Sequence, residues 1–333
     1  MKKLSFNIFS KYREVIIGIA IISVVLFHYV DDCGIIGINY SGIVKFYGKY
    51  IGSSGVDIFL LLSGLGLYYS FSKNSNIKDF YIKRIKRVLV PYFILAIPVY
   101  IWYDLIYASD GIIGFLKNLF FVTIFSKDNN IFFWYIFFII LCYLLFPLIY
   151  KFIHKGKDWQ KIFKTGVLVL LVMTAMYFTC KYNRSFYYGV DIMFQRFVPF
   201  ILGVLLGDFS YNNKKIGWYI LIFVIGLFSC ILLNYNLLFS RIILFAFNIS
   251  IIFFIILIIE LLFKGKETVT KPLAFFGKYS LEIYLVHVAI RKIIKSYGYP
   301  SYKFGYYFLF IIVSIVVSIL FNMLIKKVLR IKK

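Results

Sequence analysis

The sequence predicts an all-α fold, a polytopic membrane bundle of about ten transmembrane helices, and three observations carry that reading. Of the 333 residues, 62% are hydrophobic and 16% charged, with a mean hydropathy of +0.87. Soluble domains hold roughly 45–50% apolar and about 25% charged residues. The apolar residues are gathered into runs of about 17–25, enough to cross ~30 Å of hydrocarbon as a helix, where a β-barrel would show short alternating segments. The net charge of +24 sits in short basic clusters between these runs. That is how orientation in a bilayer is encoded, so the lipid bilayer is the expected partner and nucleic acid is not.

In chain order the runs cover residues 14–30, 52–70, 88–107, 131–150, 163–179, 188–207, 216–233, 240–263, 273–292 and 304–326. The first is long and lacks a small-residue cleavage site, so it is expected to remain as an uncleaved anchor. The stretch 112–125 is short, is interrupted by Lys117 and Asn118, and reads as an interfacial or re-entrant segment. The gaps between runs are too short for a soluble domain, so residues 1–333 are expected to form a single membrane domain. Loops on the side of the N-terminus carry 25 basic residues against 11 on the other side, which places both termini in the cytoplasm. Within Lys78–Val88, KDFYIKRIKRV, basic residues alternate with Phe80, Tyr81, Ile82 and Ile85. This suits a membrane-surface helix, a plain positive-inside anchor, or a site for a polyphosphorylated ligand. The lysine excess, with abundant Ile, Phe, Tyr and Asn, suits a bacterial chain and a multi-pass protein of the plasma membrane.

Polar residues inside the runs are the candidates for chemistry, because each needs a partner, water or a task at that depth. His28 lies ~21 Å along a helix that starts at Glu14. His287 is equally far from Leu273 along the ninth run, and Asp57 is near the outer end of the second. By helical rise, three ionisable groups on three helices lie at about one level. A carboxylate beside an imidazole can fix its tautomer and raise its basicity; the alternative is hydrogen bonding across helix interfaces. Ser63, in LLLSGLG, suits close helix approach as well as chemistry. Arg196 falls in the middle of the sixth run, with Glu282 as one candidate partner. The four cysteines fall at no metal-ligand spacing, and no metal is expected.

These residues, in this order, resemble the acyltransferase-3 family of integral membrane acyltransferases over almost the whole chain. GIAIISVVLFH resembles the first-span motif ending in the functional histidine, here His28. GSSGVDIFLLLSGL resembles the Gly-Val-Asp-x-Phe…Ser-Gly motif, giving Asp57, Ser63 and Gly64. FYIKRIKRVLVPYF is similar to the Arg-x-x-Arg…Pro motif, giving Arg84, Arg87 and Pro91. FWYIFFIILCYLLFP resembles the Trp…Tyr…Pro pattern with Trp134, Tyr143 and Pro147. GKYSLEIYLVH resembles the Ser-Tyr-x-x-Tyr-Leu-x-His ending, with Ser280, Tyr284 and His287. Two positions depart from the pattern. Ile17 stands where many members carry a basic residue, with Arg13 one turn earlier as a stand-in, and Ile139 stands where many carry a glutamate.

The resemblance implies transfer of an acyl group, acetyl by default, from cytoplasmic acyl-CoA to a hydroxyl of an extracellular polysaccharide or a lipid-linked glycan. It makes the chain an O-acetyltransferase with no permanently bound cofactor and acetyl-CoA as donor substrate. Arg84, Arg87 and Arg13 are the expected CoA-binding residues, since anionic phosphates need a basic site at the inner face. His28 is the expected general base or acyl carrier, oriented by Asp57, with Ser63 and His287 in the same catalytic set and Arg196 available to a developing oxyanion. The competing class is a transporter or flippase for a glycan or lipid-linked intermediate, which also buries charges but does no covalent chemistry.

Overall fold

The computed structural model describes residues 4–35, 37, 42–125, 132–232, 240–263, 265–300 and 303–329. Among these residues fourteen α-helices follow one another: α1 Asn7–Lys11, α2 Arg13–Ile35, α3 Gly42–Tyr50, α4 Gly55–Lys73, α5 Ile77–Tyr100, α6 Gly111–Leu119 and α7 Trp134–Ile153. Then come α8 Asp158–Tyr182, α9 Arg184–Tyr211, α10 Ile220–Phe228, α11 Ser240–Leu261, α12 Glu267–Lys278, α13 Ser280–Ser296 and α14 Phe304–Val328. No strand occurs among the described residues beyond one isolated bridge between Ser5 and Lys215. Among the described residues, eight helical segments are long and apolar enough to cross a membrane, and a ninth candidate is the pair α12 and α13, bent by 59° at its break. The seventh apolar run forms only the shorter helix Gly217–Leu232.

One open reading narrows and one expectation changes. Lys78–Val88 is the first part of α5, continuous with the span, as a positive-inside anchor would be; the helix is started by Asn76, whose side chain accepts from the Asp79 N–H at 3.1 Å. Burying Phe80 while leaving Ile82 and Ile85 exposed lets the basic segment run straight into the span. The ninth run is not a straight helix. Tyr279 closes α12, its N–H reaching the Phe275 carbonyl, and α13 starts afresh at Ser280. The fourteen-residue rise that set the level of His287 therefore does not apply. The stretch 112–125 forms α6 and a 3-10 turn, Val122–Phe125.

The chain divides into two compact units interleaved in sequence. The first comprises Met1–Ser75, Leu145–Tyr177 and Met193–Ser280; the second comprises Asn76–Leu144, Phe178–Ile192 and Leu281–Lys333. In the first, Phe9, Ile16, Ile17, Leu61, Leu62, Phe253 and Ile256 form the apolar core. Its helices cross on glycine, as membrane helices do when backbones must approach closely. A Cβ on Gly18 would lie 1.9 Å from the Leu273 carbonyl oxygen, and one on Gly277 2.0 Å from that of Glu14, so α2 and α12 are in backbone contact. Gly64 and Gly203 do the same for α4 and α9.

The first unit also buries an ion pair. Lys161 Nζ donates to both oxygens of Asp208 at 2.9 and 2.7 Å, and Tyr68 Oη donates to Oδ1 at 2.5 Å. Both charges are almost fully buried. Removing one member of such a pair costs about 3–5 kcal/mol, because the other charge stays desolvated. Lys161→Met should lose stability on that scale in denaturant unfolding of the purified protein. Adding Asp208→Asn should recover most of it.

Candidate functional site

In the first unit the site is assembled at one end of the α2–α4 pair. Asp57 is in the first turn of α4 and is fully buried. A carboxylate there must be paired, and Arg196 of α9 supplies the pair, Nε to Oδ1 at 3.2 Å with the arginine equally enclosed. The turn before α4 supplies a second layer. The Ser53 carbonyl accepts from Arg196 Nη2 and from Arg241 Nη1, each at 3.4 Å. Asn248 of α11 donates to Ser54 Oγ at 3.0 Å and to the Tyr50 carbonyl at 2.6 Å. Two cations and an amide from two helices thus hold one short turn and its carboxylate.

His28 is half-buried on α2. The turn of α2 before it packs on the start of α4: a Cβ on Gly55 would meet Val24 at 2.6 Å, and one on Gly52 would meet the Phe27 ring at 2.7 Å. The structure therefore brings the His28 turn and the Asp57 turn to the same end of the helix pair. Ser63 lies two turns further along α4, half-buried, and the neighbouring Gly64 makes the close contact with α9. Glu282, weighed above as a partner for Arg196, instead accepts from Asn322 Nδ2 at 2.6 Å.

At the other end of α2, Arg13 lies along α4, its Nε 3.4 Å from the Leu62 carbonyl. Gly66 gives it room, since a Cβ there would sit 3.1 Å from the guanidinium. Arg13 also lines a cavity of about 570 Å³ with Ser10, Lys11, Tyr12, Glu14, Thr270 and others. Beside it Lys11 donates to Glu260 at 2.5 Å, and this hydrogen bond raises the lysine pKa. Tyr12 also donates to Glu260. Ile17, where a basic residue was expected, is buried in the apolar core, so no charge is accommodated there. Ile139 is buried as well.

In the second unit, Arg84 and Arg87 are three apart on α5 and so share a face. Arg84 is half-buried with its guanidinium 5.5 Å over the Phe80 ring, and Arg87 is exposed. His287 is fully buried in α13, and its Nδ1 is 2.8 Å from the Ile283 carbonyl. A carbonyl only accepts, so Nδ1 carries the proton and Nε2 is the basic nitrogen of the neutral ring. The Tyr284 ring stands 5.9 Å from it and 5.2 Å from Tyr135.

A family model described as an acyltransferase domain matches residues 14–323. The chain belongs to the acyltransferase-3 family. No curated protein and no solved structure matches it. It is a membrane acyltransferase, and the match runs from the first residue of the His28 span into the last helix. Arg241 and Asn248 went unnoticed in the sequence of this acyltransferase. Arg241 opens an apolar run, where a cation passes for a topology signal, and Asn248 looks like an isolated polar residue within one.

Proposed function

We propose that this acyltransferase moves an acyl group, acetyl by default, from cytoplasmic acyl-CoA to a hydroxyl of a cell-surface polysaccharide or lipid-linked sugar. The observation that carries the reading is the placement of His28 at the same end of the α2–α4 pair as the buried Asp57–Arg196 pair, in a chain of this family. His28 takes the proton of the acceptor hydroxyl, the oxygen attacks the thioester carbonyl, the C–S bond breaks, and CoA leaves as the thiol after protonation. Asp57, held by Arg196, orients the imidazole end of the site. Arg196 is committed to Asp57 and the Ser53 carbonyl, so we assign it this positioning role ahead of direct contact with the oxyanion. Arg84 and Arg87 supply charge-assisted bonds to donor phosphates, with Arg13 as a further candidate on the cavity.

The test is turnover of radiolabelled acetyl-CoA by the purified protein in lipid vesicles, with a glycan extract of the native host as acceptor. Transfer of label to glycan is expected, and its absence alongside glycan translocation would favour the flippase. Arg84→Gln with Arg87→Gln is expected to raise KM for acetyl-CoA by roughly tenfold or more, the loss of one or two charge-assisted bonds, with KM for the glycan unchanged. An unchanged donor KM would move the donor site elsewhere.

A further inference from the structure

Ser54-Gly-Val-Asp57, at the start of α4, has the spacing of a capping box. In that motif a Ser hydroxyl and an acidic side chain three residues on each cap the other's backbone N–H. The structure does not form it. Ser54 has helical dihedrals, φ −90° and ψ −4°, where a capping serine is extended, and its side chain caps no N–H of α4. The Ser54 N–H, which the carboxylate of the box would take, donates to the Ile51 carbonyl at 3.0 Å. Neither oxygen of Asp57 makes a hydrogen bond back to the start of α4 among the described residues. The carboxylate is thereby left to Arg196, its ion-pair partner at 3.2 Å.

Asn248 of α11 meets the turn in this form. Its Nδ2 lies 2.6 Å from the Tyr50 carbonyl, 3.0 Å from Ser54 Oγ and 2.8 Å from the Leu244 carbonyl of its own helix. Two of these are carbonyls, which only accept, so the amino group and not the amide oxygen faces the turn. Asn248 is 4% exposed and Ser54 1%, so water does not compete for either bond. An asparagine that only satisfied its own polarity in an apolar run would be served by the Leu244 carbonyl, one turn back. The shortest of its bonds instead crosses to the end of α3, and the other crossing bond takes the hydroxyl that a capping box needs. All of these residues belong to the first unit, at the end of α4 on which the turn before His28 packs.

We propose that Asn248 is a positioning residue for acyl transfer. By holding the Tyr50 carbonyl and the Ser54 hydroxyl, it keeps Ser54–Asp57 out of the capping box and the Asp57 carboxylate on Arg196. It touches neither substrate nor reacting atoms and acts through Asp57. Without Asn248, the Ser54 hydroxyl turns to the N–H groups of α4, and the carboxylate gains a competing partner at the start of its own helix. The proposal rests on the acyl-transfer reading, in which Asp57 orients the imidazole.

Hydrogen exchange of the full chain in lipid nanodiscs, read peptide by peptide by mass spectrometry, tests the proposal without turnover. Asn248→Ala should speed exchange in the peptide spanning residues 50–58 roughly tenfold or more, the loss of two buried hydrogen bonds. Exchange in α2 and in the far half of α4 should stay unchanged. Kinetics on the same proteins should show kcat lower by roughly tenfold to a hundredfold, the scale of a misplaced catalytic group, with KM for acetyl-CoA unchanged. Asn248→Asp, of the same shape but without the amino group, should match Asn248→Ala. Ser54→Ala loses one crossing bond and cannot form the capping box, so it should lose less. Adding it to Asn248→Ala should restore part of kcat, because the competing cap is gone. Exchange unchanged at 50–58, or raised equally throughout the first unit, overturns the proposal. So does an unchanged kcat in a variant whose turn has loosened, or a double variant no better than Asn248→Ala. Should neither Asn248 variant fold, Ser54→Ala alone decides, and unchanged exchange and kcat in it overturn the proposal. A parent without transfer would sink the acyl-transfer reading, while the exchange result still decides whether Asn248 holds the turn.

Discussion

Arg196→Ala should destabilise this acyltransferase by about 3–5 kcal/mol, the scale set by leaving one charge of a buried pair without its partner. Asp57 is fully enclosed, and Arg196 approaches it at 3.2 Å from a side chain that is itself 4% exposed. Arg241 also reaches the Ser53 carbonyl, but at 3.4 Å from a less enclosed position, so it replaces little of the lost pairing. Lysine is a poor substitute, being a point charge without the planar fork that meets Asp57 and the Ser53 carbonyl together. Asp57→Asn combined with Arg196→Met should recover most of the stability while transfer stays low. Denaturant unfolding of the parent, Asp57→Asn, Arg196→Met and the double variant in one detergent gives the coupling between the two sites. A coupling near zero would mean that the two side chains act independently, and the site described here would lose its centre.

The extent to which the sequence announced this arrangement varies with the physics of each element. Helix placement was legible because a bilayer demands runs of a certain length, and each of the ten runs contains a helix in the structure. Breaks within runs were not legible. The bend between α12 and α13 comes two residues after Gly277, whose backbone packs on the Glu14 carbonyl, a contact between residues distant in sequence. That His28 and Asp57 lie toward the same end of the α2–α4 pair could be read from rise per residue, since both lie in unbroken helices. The position of His287 could not, because the break intervenes. Pairing was least legible, since rotation about each helix decides which side chains meet: Asp57, rather than Glu282, faces Arg196. The Lys161–Asp208 pair was missed for a similar reason, as each residue sits near the end of its helix and passes for an ordinary flank.

His28→Ala is expected to lower kcat/KM by roughly 10²–10⁴, the range for removing a positioned general base, while leaving the protein folded. The second half of that expectation follows from the structure: His28 is half-buried, and the packing of its turn on α4 is carried by Val24 and Phe27. Stability should therefore stay close to that of the parent, in contrast to Arg196→Ala, and KM for acetyl-CoA should be unaffected, in contrast to the Arg84 and Arg87 variant. Three substitutions thus separate three functions: the base, the support of its neighbour, and the grip on the donor. Rapid-mixing measurement of CoA release without acceptor then decides how His28 works. A burst stoichiometric with enzyme, lost in His28→Ala, means the imidazole carries the acyl group before the hydroxyl receives it. Release that waits for acceptor means His28 only removes the proton. Full activity in His28→Ala would exclude both roles and transfer the search for the base to His287, whose Nε2 is the basic nitrogen of its neutral ring.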